Sequence, residues 1–360
     1  GSLKQPNAPL DFGNSGTAAR LILGLVSTHP IETRFIGDDS LSQRPMRRVT
    51  DPLVDFGANF NLRNSEFLPI EVKGAEYPIP ITHEMKVASA QVKSAIMFAG
   101  LNTPGITTII EKEKTRNHTE TLFKYYGYKI NIEEKDGKNF ISFEGQKALN
   151  PVNIKVPGDP SSAAYPVVAG LICKDSSIKV KNVLLNPTRD GLYKCLDEMG
   201  ANIRYSNKKI EAGEITYDID VSSSTLSAID VPANRAPTMI DDYPILAIAA
   251  SMANGTSIFR GLSELKVKES DRLLGIYKIL NKNGIDTSIE DNNLIIKGNA
   301  KGPKGGAIIK TNLDHRIAMS SIILGMVSDK PIEVDDTETI KTSFPEFIEL
   351  MKKLGAKLTV

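Results

Sequence analysis

CLDEMGANIRY, residues 195–205, is the stretch on which the fold is read. An amphipathic helix runs up to Gly200, the glycine stops it where a positive φ is cheap, and a short strand comes next. The same junction returns as LVDFGANFNL (53–62), FKYYGYKINI (123–132), KILNKNGIDTSI (278–289) and LMKKLGAKLTV (350–360). Such junctions also arise by chance, but five of them recurring roughly every 70 to 85 residues favour an internal duplication. Each interval has room for about four strands and two helices, and no simple solenoid pattern fits. Between the junctions lie the β-branched runs ITTIIE (106–111), SSIKVKNVLL (176–185) and TSIFRGL (256–262), which read as strands. Interleaved helices and strands predict an α/β or α+β protein. The turn-rich Asn186-Pro187-Thr188-Arg189-Asp190-Gly191 falls mid-chain and predicts a boundary between two lobes, 3–188 and 189–360.

The 360 residues suffice for two or three domains, with 41% hydrophobic and 24% charged residues. A net charge of +1 gives no reason to expect a nucleic-acid partner. Cys173 and Cys195 alone point to a reducing compartment, not a disulfide framework. His29, His83, His118 and His315 are scattered without metal-ligand spacing, so no metal site is expected. No apolar run reaches the roughly 18 residues of a membrane span, and no secretory signal is visible. Gly1-Ser2 reads as a tag-cleavage scar.

A second recurrence carries the chemistry. Polar loops open directly into apolar helices at GNSGTAARLILGL (13–25), SAQVKSAIMFAGL (89–101), PGDPSSAAYPVVAGL (157–171), DDYPILAIAASMA (241–253), KESDRLLGIYKIL (268–280) and LDHRIAMSSIILG (313–325). A helix N-terminus offers unpaired N–H groups and the positive end of the dipole, so a cluster of them can bind anions without net charge. The plainer reading is capping, with Asn14, Ser89, Asp159, Ser161 and Asp241 as caps or cap neighbours. Arg20, Arg44, Arg116, Lys268, Arg272 and Arg316 all lie in or beside the helix-opening loops. They are either solvated surface cations or the ligands of a carboxylate or phosphate. Asp241, Asp242 and Glu269 stand beside these cations, where a cleft would move their pKa values and suit them to proton transfer.

LDFGNSGTAAR (10–20), SLSQRPMRR (40–48), VASAQVKSA (87–95), KTRNHTE (114–120), VPGDPSSAA (156–164), IDDYPILAIAA (240–250), ELKVKESDR (264–272), LDHRIAM (313–319) and TSFPEF (342–347) resemble, in order and approximate spacing, the motifs of the 5-enolpyruvylshikimate-3-phosphate synthase family. SAQVKSA, TRNHTE and MIDDYPIL look closest to the branch that includes glyphosate-tolerant bacterial enzymes. The resemblance implies two lobes built from six βαβαββ modules, of which five are counted here. The family's N-terminal Gly-Asp-Lys-Ser segment has no counterpart, so the first module and the first strand of the C-terminal lobe are expected to be missing, leaving an exposed sheet edge.

The resemblance further implies transfer of the enolpyruvyl group of phosphoenolpyruvate to the 5-hydroxyl of shikimate 3-phosphate, with release of phosphate. The two alternatives are an inactive anion-binding fragment and the related transferase acting on UDP-N-acetylglucosamine. Carried over by motif, Ser89, Gln91, Arg116, Asp241 and Lys268 would bind shikimate 3-phosphate, and Gly16, Arg44, Gln91, Arg272 and Arg316 would bind phosphoenolpyruvate. Asp241 would take the hydroxyl proton and Glu269 would serve the methylene carbon. A glycine at position 16 is the variant expected of a glyphosate-sensitive enzyme. Many members carry lysine two residues before the Phe-Pro pair; Thr342 stands there, so Lys341 is given no catalytic role. The expected protein is a cytoplasmic monomer with small-molecule substrates, no cofactor, no metal, and neither nucleic acid nor membrane as partner.

Overall fold

The structure, a computed structural model, describes residues 3–359; the tag-like Gly1-Ser2 and Val360 lie outside the described residues. It divides into two compact units at Ile154/Lys155.

The first unit holds two copies of one motif. The first copy is β1 (Leu10–Asp11), α1 (Gly16–Val26), β2 (Glu32–Ile36), α2 (Arg47–Val54), β3 (Asn59–Arg63) and β4 (Phe67–Lys73). The second is β5 (Thr82–Glu84), α3 (Ala90–Leu101), β6 (Ile106–Glu111), α4 (His118–Tyr125), β7 (Asn131–Lys135) and β8 (Lys138–Glu144). Both sheets have one topology, β1-β2-β4-β3 and β5-β6-β8-β7. The first pair in each is parallel and the others antiparallel.

The second unit repeats the motif. Its first copy has α5 (Pro160–Ile172), β9 (Ser177–Leu184), α6 (Gly191–Glu198), β10 (Asn202–Glu211) and β11 (Glu214–Ser222). A single parallel bridge, Gly158 to Val183, stands where the other copies have a leading strand. Next come β12 (Asp230–Val231), α7 (Tyr243–Ser251), β13 (Thr256–Phe259), α8 (Arg272–Lys282), β14 (Thr287–Glu290) and β15 (Asn293–Lys297), in the order β12-β13-β15-β14. The last copy is β16 (Ile308–Ile309), α9 (His315–Gly325), β17 (Glu333–Val334), α10 (Glu338–Lys341) and α11 (Phe347–Lys353). The strand expected after Gly355 is not formed among the described residues. β17 is two residues long and pairs only with β16, so residues 356–359 have no ladder to join.

The five junction glycines at 57, 127, 200, 284 and 355 all have positive φ, from 77° to 103°. At Gly200 the N–H of Ala201 donates to Leu196 O and that of Gly200 to Asp197 O, both at 3.0 Å. That is a Schellman ending, and the same pair of bonds closes the helices before Gly127, Gly284 and Gly355. A Cβ at Gly200 would meet nothing within 4 Å, so its backbone angle, not space, calls for glycine.

Within the second unit the leading helices α5, α7 and α9 pack against one another. Every residue of α7 is buried, as expected of a helix apolar on all sides. In α6, Leu192, Cys195 and Leu196, with neighbouring Met199, supply an i, i+3, i+4, i+7 stripe to this core, and Tyr193 joins it. The expected boundary stretch 186–191 lies inside this unit, between β9 and α6. β9 on its N-terminal side is tied in register to β11 on its C-terminal side, from Ser177↔Ser222 to Leu184↔Thr216. That ladder spans the stretch and leaves no division between lobes there.

Candidate active site

All six helix-opening loops form helices, and each unit gathers its N-termini into a polar cluster. Asn14 and Asp241 are cap neighbours: Ser15 caps α1, and Asp242 stands at the N-cap position of α7. Ser89 and Asp159 do cap, accepting from Val92 N–H and Ser162 N–H. Asp271 and Asp314 cap α8 and α9.

In the first unit, Arg20 of α1 donates from Nη1 to Gln91 Oε1 at 2.6 Å, and Gln91 Nε2 donates to Thr17 Oγ1 at 2.8 Å. These bonds join the first turns of α1 and α3. Arg44 is braced by Asn14 Oδ1 at 2.9 Å and Ser40 Oγ at 3.0 Å. Gly16 opens α1 beneath both guanidinium groups: a Cβ there would stand 3.2 Å from Nη1 of Arg20 and of Arg44. Gly16, Arg44, Ser89 and Gln91 therefore belong to one pair of helix ends. Arg116 stands half-buried two residues ahead of α4.

In the second unit, Arg272 is wholly buried at the start of α8. Its Nε donates to Asp314 Oδ2 at 2.9 Å and its Nη1 to Asp241 Oδ1 at 3.1 Å, while Nη2 pairs with Glu269. Lys268 Nζ lies 3.9 Å from Asp241 Oδ1. Arg316 of α9 donates from Nη1 to Asp241 O at 2.9 Å and approaches Asp242 Oδ1 at 3.3 Å. Arg189 reaches the start of α5, donating to Ser161 Oγ at 2.8 Å and Asp159 Oδ1 at 3.2 Å. Asp241, Lys268, Glu269, Arg272 and Arg316 are thus one cluster.

The environment shifts several of these groups. Burial lifts the Asp242 carboxyl above its ordinary range, against the pull of Arg316 and Arg189. Burial also opposes ionisation of Asp314, but Arg272 outweighs it and holds that carboxyl low. Burial, reinforced by Arg316, lowers His315 to about 4, so its ring is neutral at pH 7. The clustered carboxylates override burial at Arg272, whose pKa is raised. Each shift is what a desolvated charge network produces.

Residues 1–351 match the family described as EPSP synthase (3-phosphoshikimate 1-carboxyvinyltransferase). The chain belongs to this family. It is 52% identical over 360 residues to the 3-phosphoshikimate 1-carboxyvinyltransferase of Paramagnetospirillum magneticum, covering 100% of this chain and 81% of that protein. The protein of the same name from Chelativorans sp. is 51% identical, over 99% of this chain and 80% of its own length. Among solved structures, EPSP synthase from Acinetobacter baumannii superposes with a TM-score of 0.85 at 38% identity, over 99% of this chain and 80% of that one. The enolpyruvyl transferase NikO from Streptomyces tendae, at 18% identity and a TM-score of 0.70, covers 93% of this chain and 75% of its own; it shares the fold. The family match favours neither the inactive-fragment reading nor the UDP-N-acetylglucosamine alternative.

Sequence reasoning misses the part played by three members of these clusters. Asp314 stands in a helix-opening loop like many others, yet it holds Arg272. Arg189 belongs to a turn with every mark of a boundary, yet it braces α5. Arg20 is one of the loop cations with no ligand assigned to it, and it ties α1 to Gln91. Lys341 pairs with Glu338 at 2.7 Å on the surface. Among the described residues no group of three His, Cys, Asp or Glu is arranged to hold a metal, and no helix is long and apolar enough to cross a membrane.

Proposed function

We propose that this member of the EPSP synthase family moves the enolpyruvyl group of phosphoenolpyruvate to the 5-hydroxyl of shikimate 3-phosphate, with Asp241 and Glu269 as its proton-transfer groups. The observation that carries the assignment is the fork of Arg272. Its two terminal nitrogens hold the two carboxylates, Asp241 on Nη1 and Glu269 on Nη2. The reaction needs two acid/base groups acting on different atoms, held at a fixed separation.

In this scheme Asp241 accepts the hydroxyl proton as the oxygen bonds to the central carbon of phosphoenolpyruvate. Glu269 delivers a proton to the methylene carbon, giving a tetrahedral ketal. The carbon–oxygen bond to phosphate then breaks, the methyl group returns a proton to Glu269, and the leaving phosphate takes the proton from Asp241. Arg44, Arg272 and Arg316 steady the carboxylate and phosphate charges, and Gly16 leaves space beside Arg44. Ser89, Gln91, Arg116 and Lys268 hold shikimate 3-phosphate. The chain works as a cytoplasmic monomer on these small molecules.

Asp241→Asn keeps the size and the hydrogen-bonding oxygen while removing the base. Phosphate release from the two substrates is expected to fall roughly 10²–10⁴-fold, the usual contribution of a general base. Near-normal release would overturn the assignment.

A further inference from the structure

One charged cluster of the first unit lies apart from the residues assigned to the substrates. Lys93, Glu111 and Glu120 are buried, at 0%, 2% and 3% exposure. Lys93 Nζ stands 2.6 Å from Glu120 Oε1 and 3.2 Å from Glu111 Oε1. Apolar residues of similar volume often hold a fold at least as well as a buried ion pair, so stability alone is a weak reason for this one.

The layout supplies another reason. Glu111 is the last residue of β6 and Glu120 lies in the first turn of α4. The segment between them carries Arg116. Thr115, its neighbour, donates both its hydroxyl, at 2.6 Å, and its N–H, at 3.3 Å, to Glu111 Oε1. Asn139 of β8 fixes the other Glu111 oxygen at 3.1 Å. The hydroxyls of Ser94 and Thr119, 2.6 Å apart, add a second tie between α3 and α4. Lys93 stands on α3 two residues after Gln91 and four after the cap Ser89.

We propose that Lys93 is a positioning residue for shikimate 3-phosphate: its ammonium fastens both ends of the Arg116 loop to α3, setting Arg116 in register with Ser89 and Gln91. This rests on Arg116, Ser89 and Gln91 contacting that substrate. The ammonium acts on both carboxylates at once, so the loop cannot shift at one end without disturbing the other.

The test uses the whole chain and titration calorimetry with shikimate 3-phosphate. Lys93→Met with Glu120→Gln removes one cation and one anion, leaving the formal charge of the cluster unchanged. It is expected to weaken shikimate 3-phosphate binding about tenfold, equivalent to about 1.4 kcal/mol, and to leave phosphoenolpyruvate binding within about twofold. Adding Arg116→Ala to that pair is expected to cost little more than Arg116→Ala alone, because the two act through one contact. Thr115→Val removes the hydroxyl bond to Glu111, the shorter of its two, without altering charge, and should give a weakening selective for the same substrate if the first pair fails to fold. Unchanged shikimate 3-phosphate binding in a folded variant, or losses that add fully to that of Arg116→Ala, overturns the positioning role. Arg116→Ala binding as well as the parent chain overturns instead the reading of Arg116 on which the proposal stands.

Discussion

Arg272 and Asp314 form an ion pair with Nε and Oδ2 2.9 Å apart and almost no solvent on either side chain. Asp314 does three things at once: it neutralises Arg272, accepts the hydroxyl of Ser270 at 2.9 Å, and caps α9 through the N–H of Arg316 at 2.9 Å. One carboxylate therefore joins the starts of α8 and α9, the helices that present Arg272 and Arg316.

Asp314→Ala leaves a buried guanidinium short of its most deeply buried carboxylate partner and removes a cap. A loss of roughly 3–5 kcal/mol is expected from the broken pair, read as a lower denaturant midpoint with the slope unchanged. Asp314→Asn should recover the capping contribution but not the charge.

The neutral His315 ring predicts an acid-sensitive limb. The folded protein protonates it near pH 4, the unfolded chain near 6.5. Between those values the unfolded state binds more protons, so stability falls as pH drops from about 6.5 to about 4, by about 3 kcal/mol in all. Arg316, Arg272, Asp314 and Glu269 are the charged groups acting on the ring. His315→Gln should flatten that part of the stability–pH curve; an unaltered limb would show that another group is responsible.

Gly16→Ala puts a methyl group 3.2 Å from the ends of both Arg20 and Arg44. Flexible guanidinium tips can yield by tenths of an ångström, so the fold should survive with little change in Tm. The KM for phosphoenolpyruvate should rise several-fold, with a smaller effect on shikimate 3-phosphate. Equal effects on both would remove the reason for placing Gly16 beside phosphoenolpyruvate.

Gly200→Ala tests the repeat itself. No atom obstructs the new Cβ, so the cost is the left-handed backbone alone, about 1–2 kcal/mol. Gly200→Asn should cost less, since asparagine tolerates that conformation. Thermal unfolding of the two variants gives the comparison.

Much of this architecture is legible because it recurs. A glycine that ends a helix leaves the same local mark five times, and ITTIIE forms β6 residue for residue. The site is legible at the helix starts, where Arg272 and Arg316 sit beside acidic residues in the chain. What escapes depends on partners far apart in sequence. Arg189 finds Asp159 across 30 residues, and Lys93 finds Glu120 across a strand and a loop. Nothing in the residues around Lys93 singles it out. The unit boundary is misplaced by sequence for a related reason: Asn186–Gly191 carries every local sign of a linker, yet the β9–β11 ladder binds it into the second unit.

The charge network of the second unit has one more consequence. Arg189, Lys268, Arg272 and Arg316 face Asp159, Asp241, Asp242, Glu269 and Asp314, so the cations are already outnumbered by carboxylates before any ligand arrives. A phosphate or carboxylate drawn to these cations competes with acidic groups that cannot leave. The least costly response is for a carboxyl to become neutral, and burial already raises the proton affinity of Asp242. On the proposed function, ligand capture is expected to take up protons from the medium, which calorimetry in buffers of different ionisation enthalpy checks.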